Sequence, residues 1–278
     1  MMDTAGNIPA TVPSGRASAR RERAVEHVVH SDLVASAAQG SPIDASKVSR
    51  LIIVRASDGG QLRTVLTGTK VVRTIAYPSR RYRCVRYGEA ETECSMIEQQ
   101  EVCPVTVAAI SQPMRIEALV DGVWLRTIVD AAVLRVNGER ALIECKRDWS
   151  GFRTRDGAIQ TVLGGLAARA LGWRYERRVL AHSGSPRRRA NVCEVASCRF
   201  VHVSDSLVSR ATRLLADGPV ALETLGAVLH NDPANGRARA YALMARRIVD
   251  IDLDGRLDGR AECRAAPVAV GRLPSLRR

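Results

Sequence analysis

Three acids and one lysine form the pattern in this chain best suited to chemistry. Asp130 is followed fourteen residues later by Glu144-Cys145-Lys146, and the two parts fall on apolar runs divided by the turn dipeptide Asn137-Gly138. Side chains alternate along an extended strand, so Glu144 and Lys146 share one face while Ile143 and Cys145 take the other. Hairpin pairing would bring Asp130 to Glu144 and set two carboxylates beside one ammonium. Glu98, in a helical stretch upstream, is a third acid available to the group. Phosphodiester hydrolysis asks for this combination. Carboxylate oxygens suit a hard ion such as Mg²⁺ or Mn²⁺, which polarises a phosphoryl oxygen, lowers the pKa of a bound water and stabilises the leaving oxygen. A lysine alongside can hold the attacking water or offset charge in the transition state. The competing reading is a solvated sheet face with weak surface ion pairs. Lysine is scarce here, with 3 against 39 arginines, so its place two residues after a strand glutamate is less easily accidental.

The elements that must position these residues can be read from periodicity. From Glu91 to Cys103 the pattern is helical and stops before Pro104, with Glu91, Ser95, Glu98 and Val102 on one face. Strands are expected over 48–54, 70–75, 105–110, 114–120, 123–136 and 140–146. The turns Asp121-Gly122 and Asn137-Gly138 make the last three an antiparallel meander. A helix over 156–171 closes at Gly172, and 173–181 reads as a further strand. The fold class expected is α/β, a mixed sheet flanked by helices, over a domain spanning 45–182.

Residues 1–44, rich in Ala, Ser, Gly and Pro with basic Arg16, Arg20, Arg21 and Arg23, read as a mobile basic arm with one short helix around 24–38. The composition shift at Gly184-Ser185-Pro186, followed by three arginines, marks 183–203 as a linker or loop. Helical spacing over 204–216, 221–229 and 237–246, with a short strand over 248–252, suggests a small winged-helix-like, α-rich module at 204–265. Residues 266–278 read as a tail.

Composition narrows the partner. A net charge of +13 and a pI near 10.2 favour a polyanion, nucleic acid first, although GC-rich coding alone can enrich arginine. Seven cysteines with no CxxC pair argue against a disulfide framework or a zinc knuckle. The five scattered histidines give no metal site or nucleophilic triad, and no Gly-rich loop carries a following Lys-Ser or Lys-Thr, which disfavours an ATPase. No apolar run reaches the roughly 18 residues of a membrane span, and no secretory layout opens the chain, so a cytoplasmic, nucleoid-associated protein is expected. Arg155 and Gln160, opening the helix after the lysine strand, and the run Arg187-Arg188-Arg189 are candidates to face DNA. Trp124, Trp149 and Trp173 read as core or sheet-edge residues.

Five motifs stand in one order: Tyr77-Pro78-Ser79-Arg80-Arg81, Ser95-Met96-Ile97-Glu98, Gln112-Pro113, Arg126-Thr127-Ile128-Val129-Asp130 and Glu144-Cys145-Lys146. Together, over about 68–182, they resemble TnsA-type transposon endonucleases, which are restriction-enzyme-like nucleases of the PD-(D/E)xK class. Ile251-Asp252-Leu253-Asp254 is similar to that family's short acidic ending. The resemblance implies that Glu98, Asp130 and Glu144 ligate Mg²⁺ or Mn²⁺, with Lys146 as the catalytic lysine. Gln112 would be structural, and Arg80 and Arg81 candidate DNA contacts. Val129 departs from the proline usual before the aspartate, which could change the bend that aims Asp130. The implied function is the endonuclease subunit of a heteromeric transposase acting on double-stranded DNA. Its implied partners are a transposase subunit and a regulatory ATPase docked on the C-terminal module. Two other expectations stand beside it: a catalytically silent DNA-binding subunit, and a stand-alone repair or defence nuclease.

Overall fold

The stretch 123–136, expected as one strand, is two strands in two different sheets. The computed structural model describes residues 47–62, 74–269 and 271–276, together with the backbone of 24–29. In chain order the elements are β1 (Ala24–Val29), β2 (Val48–Ala56), β3 (Thr74–Ser79), β4 (Cys84–Glu89), α1 (Ala90–Val102), β5 (Thr106–Ser111), β6 (Met114–Val120), β7 (Val123–Ile128), β8 (Ala131–Arg135) and β9 (Arg140–Lys146). There follow α2 (Trp149–Arg153), α3 (Arg155–Ala170), β10 (Arg174–Val179), α4 (Pro186–Ser197), α5 (Asp205–Ala216), β11 (Val220–Ala221), α6 (Leu222–Leu229), α7 (Pro233–Ala245), β12 (Val249–Ile251) and β13 (Glu262–Ala265).

The result is a mixed α/β protein with several sheets flanked by helices. One sheet has the order β1-β2-β6-β7, all antiparallel. Asp121 and Gly122 both take positive φ, 53° and 78°, as a tight two-residue hairpin turn between β6 and β7 requires. The second sheet has the order β10-β9-β8-β5, with β9 and β10 parallel across the α3 crossover and the other pairs antiparallel. The two expected hairpins therefore exist, but the meander does not: the chain leaves the first sheet after Ile128 and enters the second at Ala131. Asp130 sits at that corner.

The second sheet is covered on both faces. Ala132, Leu134 and Leu142 pack with Leu163, Leu166 and Ala167 of α3. The alternate residues Ala131, Val133, Ala141, Ile143 and Cys145 pack with Met96 of α1. That is why 141–145 reads as a nearly unbroken apolar run, and why Glu144 in it stands out. Thr154 caps α3 by accepting from the Gly157 N–H, and Gly172, at φ 66°, follows its end.

Several expectations are corrected. Ala24–Val29, expected as the start of a helix, is a strand paired with β2; the rest of the N-terminal arm lies outside the described residues. The expected strand over 70–75 falls partly outside them too, and Thr74–Ser79 pairs with β4. The supposed linker 183–203 contains α4, whose Val192, Val195 and Ala196 enter the core of the C-terminal unit together with Val102 of α1. Three arginines in the first turn oppose the helix dipole, which hid the helix; Ser185 as cap and Pro186 at the first position start it regardless. The supposed tail packs back, with Leu276 buried and Leu273 against the first core. The C-terminal unit runs helix, strand, two helices, two strands, its sheet ordered β11-β13-β12. Among the described residues no helix is long and apolar enough to cross a membrane.

Arg81 fastens the two parts. Its guanidinium donates to the carbonyls of Gln100 and Cys103 at the end of α1 and of Met244 and Ala245 at the end of α7, so two helix C-termini share one cation. Buried Glu101 holds the preceding turn, accepting from Ser79 Oγ at 2.6 Å and from the Arg80 and Arg81 N–H groups at 3.0 Å.

Helices α6 and α7 touch through glycine: a Cβ on Gly236 would lie 2.4 Å from the carbonyl oxygen of Gly226. Gly236→Ala is expected to destabilise by about 1–3 kcal/mol in urea denaturation, the usual cost of overpacking. Gly165 of α3 has nothing within 4 Å of the same position, so Gly165→Ala should stabilise by about 0.4–1 kcal/mol. Equal effects would contradict this packing.

Candidate active site

The β8–β9 register pairs Ala131 with Ile143, and one step beyond it Asp130 comes opposite Glu144. Asp130 Oδ2 accepts the Cys145 N–H at 2.6 Å, which fixes the corner carboxylate against β9. Two residues apart on the α3 side of β9, Glu144 and Lys146 form an ion pair with Nζ 2.5 Å from Oε1. Glu144 is 1 % exposed, whereas the Lys146 side chain is 22 % exposed. The expected convergence of Asp130, Glu144 and Lys146 is therefore present.

Glu98 is not part of it. Its carboxylate accepts from Cys193 Sγ of α4 at 3.3 Å, on the side of α1 turned toward the C-terminal unit. The helix acid at the site is Glu93, whose charge interacts with Asp130 and Glu144. Five residues in a helix turn the side chain by about 140°, so the two glutamates cannot serve one site. The packing of α1 on the sheet, and not the sequence, marks Glu93. Met96 meets Cys145 at 3.2 Å between sulfurs, and Glu93 lies one turn before Met96 on the same helix face.

Burial raises the carboxyl pKa of Glu93, and Asp130 raises it further. Glu144 is raised in the same way by burial and then by Asp130, with Lys146 pulling back. Asp130 is raised by burial too, although Lys146 and the Cys145 N–H favour its charge. For Lys146 burial disfavours the ammonium, but Glu144 and Asp130 outweigh it and the pKa rises. Three acids thus destabilise one another's ionised forms around a single cation.

A cleft of about 690 Å³ opens on this group, lined among others by Glu93, Gln112, Asp130, Lys146, Trp124 and Gln160. Gln112 ties two of these acids in place. Its backbone N–H donates to the Asp130 carbonyl at 2.8 Å, and its side-chain amide bonds Glu93. Its Oε1 is buried with no hydrogen-bond partner, and its φ of 44° is one that few non-glycine residues adopt.

Other expected contacts divide. Gln160 lines the cleft, while Arg155 is exposed at the start of α3 and does not line it. Arg80 and Arg187 are exposed. Arg81 is committed to helix carbonyls, Arg188 pairs with Asp254 at 2.8 Å, and Arg189 donates to the Gly184 carbonyl at 2.8 Å. Trp173 is core and Trp124, 50 % exposed, lies on the edge strand β7, whereas Trp149, 44 % exposed, opens α2 and is neither core nor sheet edge.

Among the described residues no three His, Cys, Asp or Glu side chains are gathered closely enough to hold a metal ion as they stand. The donor set nonetheless has the character a hard cation takes: mutually repelling carboxylates and an unpartnered amide oxygen. Compared with known proteins, the chain matches no family model and no curated sequence.

Removing Lys146 Nζ would leave Glu144 buried without its partner. Lys146→Met is expected to cost about 3 kcal/mol of stability, most of it recovered in the Lys146→Met/Glu144→Gln double variant, as measured by denaturant melts. Additive losses would mean that the pair is not coupled.

Proposed function

We propose that this chain is a metal-dependent endodeoxyribonuclease of the restriction-enzyme-like kind, with Glu93 taking the place first assigned to Glu98. The observation that carries the reading is the meeting of Glu93, Asp130 and Glu144 with Lys146 at one end of an open cleft. Asp130 and Glu144 would hold Mg²⁺ or Mn²⁺, with Glu93 and the Gln112 Oε1 as further oxygen donors. A cation held by them would supply polarisation of a phosphoryl oxygen and a more acidic water. Lys146 Nζ then leaves Glu144 and donates to a non-bridging phosphate oxygen, offsetting the charge that grows there. The Cys145 N–H keeps Asp130 aimed throughout. Gln160 on the cleft wall, with the exposed Arg155, Arg80 and Arg187, would supply contacts to a DNA backbone, whose attraction the net charge of +13 extends to longer range.

The order helix–strand–helix–helix–strand–strand over 205–265 supports a winged-helix-like reading of the C-terminal unit, suited to DNA or to a partner protein. With the motif order in the sequence, this favours a subunit of a heteromeric transposase that works with a second nuclease subunit and a regulatory ATPase. A second reading, a silent DNA-binding subunit, is favoured by one observation: the acids are not gathered as a ligand cage, and Lys146 occupies Glu144.

Nicking of supercoiled plasmid by the full chain in Mg²⁺ or Mn²⁺, alone and with the partner proteins, separates these. Asp130→Ala and Glu93→Gln are expected to lose at least about 100-fold in rate, while Glu98→Gln stays near wild type. Salt-sensitive DNA binding without cleavage in any assembly would establish the silent reading. Unchanged nicking by Asp130→Ala would remove the proposed site.

A further inference from the structure

On the α3 face of the second sheet, one more charge stands beside Glu144. The parallel register pairs Arg177 of β10 with Glu144 of β9, so both side chains leave the sheet on the same side. The one acid of β10, Glu176, is on the other side, where Arg135 and Arg178 pair with it. Arg177 is exposed and forms no ion pair among the described residues. Aromatic rings hold it instead. Its guanidinium lies 5.5 Å from the centre of the Trp149 ring and 5.7 Å from that of Phe152, and Lys146 Nζ lies 5.9 Å from the centre of the same Phe152 ring. Such contacts orient a guanidinium without using its N–H groups, so its fork of donors stays free for an acceptor.

The rings belong to α2, which also rests on the lysine: a Cβ on Gly151 would lie 3.1 Å from Lys146 Cβ. Phe152 is buried, but Trp149 stays exposed even with His182 packed against it in a T-shaped contact at 5.5 Å. The surrounding chain is basic, with Lys146, Arg147, Arg153 and Arg155 against Asp148 and Asp156. Asp148 is occupied in capping α2, where it accepts from the Ser150 N–H at 2.7 Å. An open indole beside a free guanidinium suits a ligand that joins a flat ring to an anion. A phosphate can take the guanidinium fork through two oxygens, and a nucleic-acid base can stack on the indole whatever its identity. A paired duplex keeps its bases stacked on one another; only an unpaired nucleotide offers both groups.

We propose that Trp149 and Arg177 seat an unpaired nucleotide next to the phosphate held at Lys146, so that the DNA cut by this chain is single-stranded beside the cut. The seat stands on its own geometry; its place beside a cut rests on the nuclease reading.

Fluorescence anisotropy of labelled oligothymidylate, titrated with the full chain in EDTA so that no cleavage occurs, tests the seat against a blunt duplex of the same length. Trp149→Ala is expected to weaken oligothymidylate binding about 10-fold or more while changing duplex binding less than about twofold. Arg177→Gln, at an exposed position, should weaken it about 3–10-fold and lower the slope of log affinity against log salt by about 0.7, the share of one single-strand phosphate. Unchanged oligothymidylate affinity in both folded variants, or equal losses on single strand and duplex in Trp149→Ala, would overturn the proposal. Failure of the nuclease reading looks different: plasmid left uncut by a chain that shows the Trp149-dependent binding removes the cut and leaves the seat.

Discussion

Carboxylates do not share a protein interior unless a cation or a proton meets them, and the rest of this structure is arranged around one such meeting. Glu144 is almost fully buried on a central strand, Asp130 stands opposite it, and Glu93 approaches from α1, with Lys146 Nζ as the cation on Glu144. Each acid raises the energy of its neighbours' ionised forms, so the three cannot all carry full charge beside one ammonium. Such a group is costly as architecture, and a purely apolar substitute would be as stable or more so. Under the nuclease function proposed for this chain, that cost leaves the site ready for a further cation.

Positioning follows from how the two sheets join. Because β7 and β8 are consecutive pieces of one run assigned to different sheets, the chain must turn at Val129-Asp130, and the turn aims a carboxylate where a continuous strand could not. Buried Val129 fills the place before the aspartate. Helices on both faces of the second sheet exclude water from Glu144, while the open edge beside β7 leaves Lys146 and Asp130 accessible from the cleft. Arg81 and Glu101, at the far end of α1, tie that helix to the C-terminal unit and so hold Glu93 in register with the sheet.

Much of this was legible in the residues. Alternation and the two Gly-containing turns gave the hairpins, and the Glu-x-Lys spacing on β9 placed two of the four site residues. The sheet change at Asp130 was not legible, since both strands are extended and apolar and only their partners differ. The motif order points to Glu98 alone, because a helix in isolation has no fixed register; its facing sheet, through Met96 and Cys145, sets which side turns inward and brings Glu93 to the site. α4 was hidden by arginines whose charge opposes a helix start, and the tail by a composition too short on apolar residues to announce Leu273 and Leu276 as core. Arg177 was invisible for a simpler reason: one arginine among 39 carries no mark of its neighbours in the sequence.

The most direct measurement is a crystal structure of the full chain soaked in Mn²⁺, with the ion located by its anomalous scattering. Convergence of the acids predicts one strong peak in contact with Asp130 and Glu144, with Lys146 Nζ displaced from Glu144. A peak confined to other acids, or an undisturbed Lys146–Glu144 pair at saturating Mn²⁺, would contradict it.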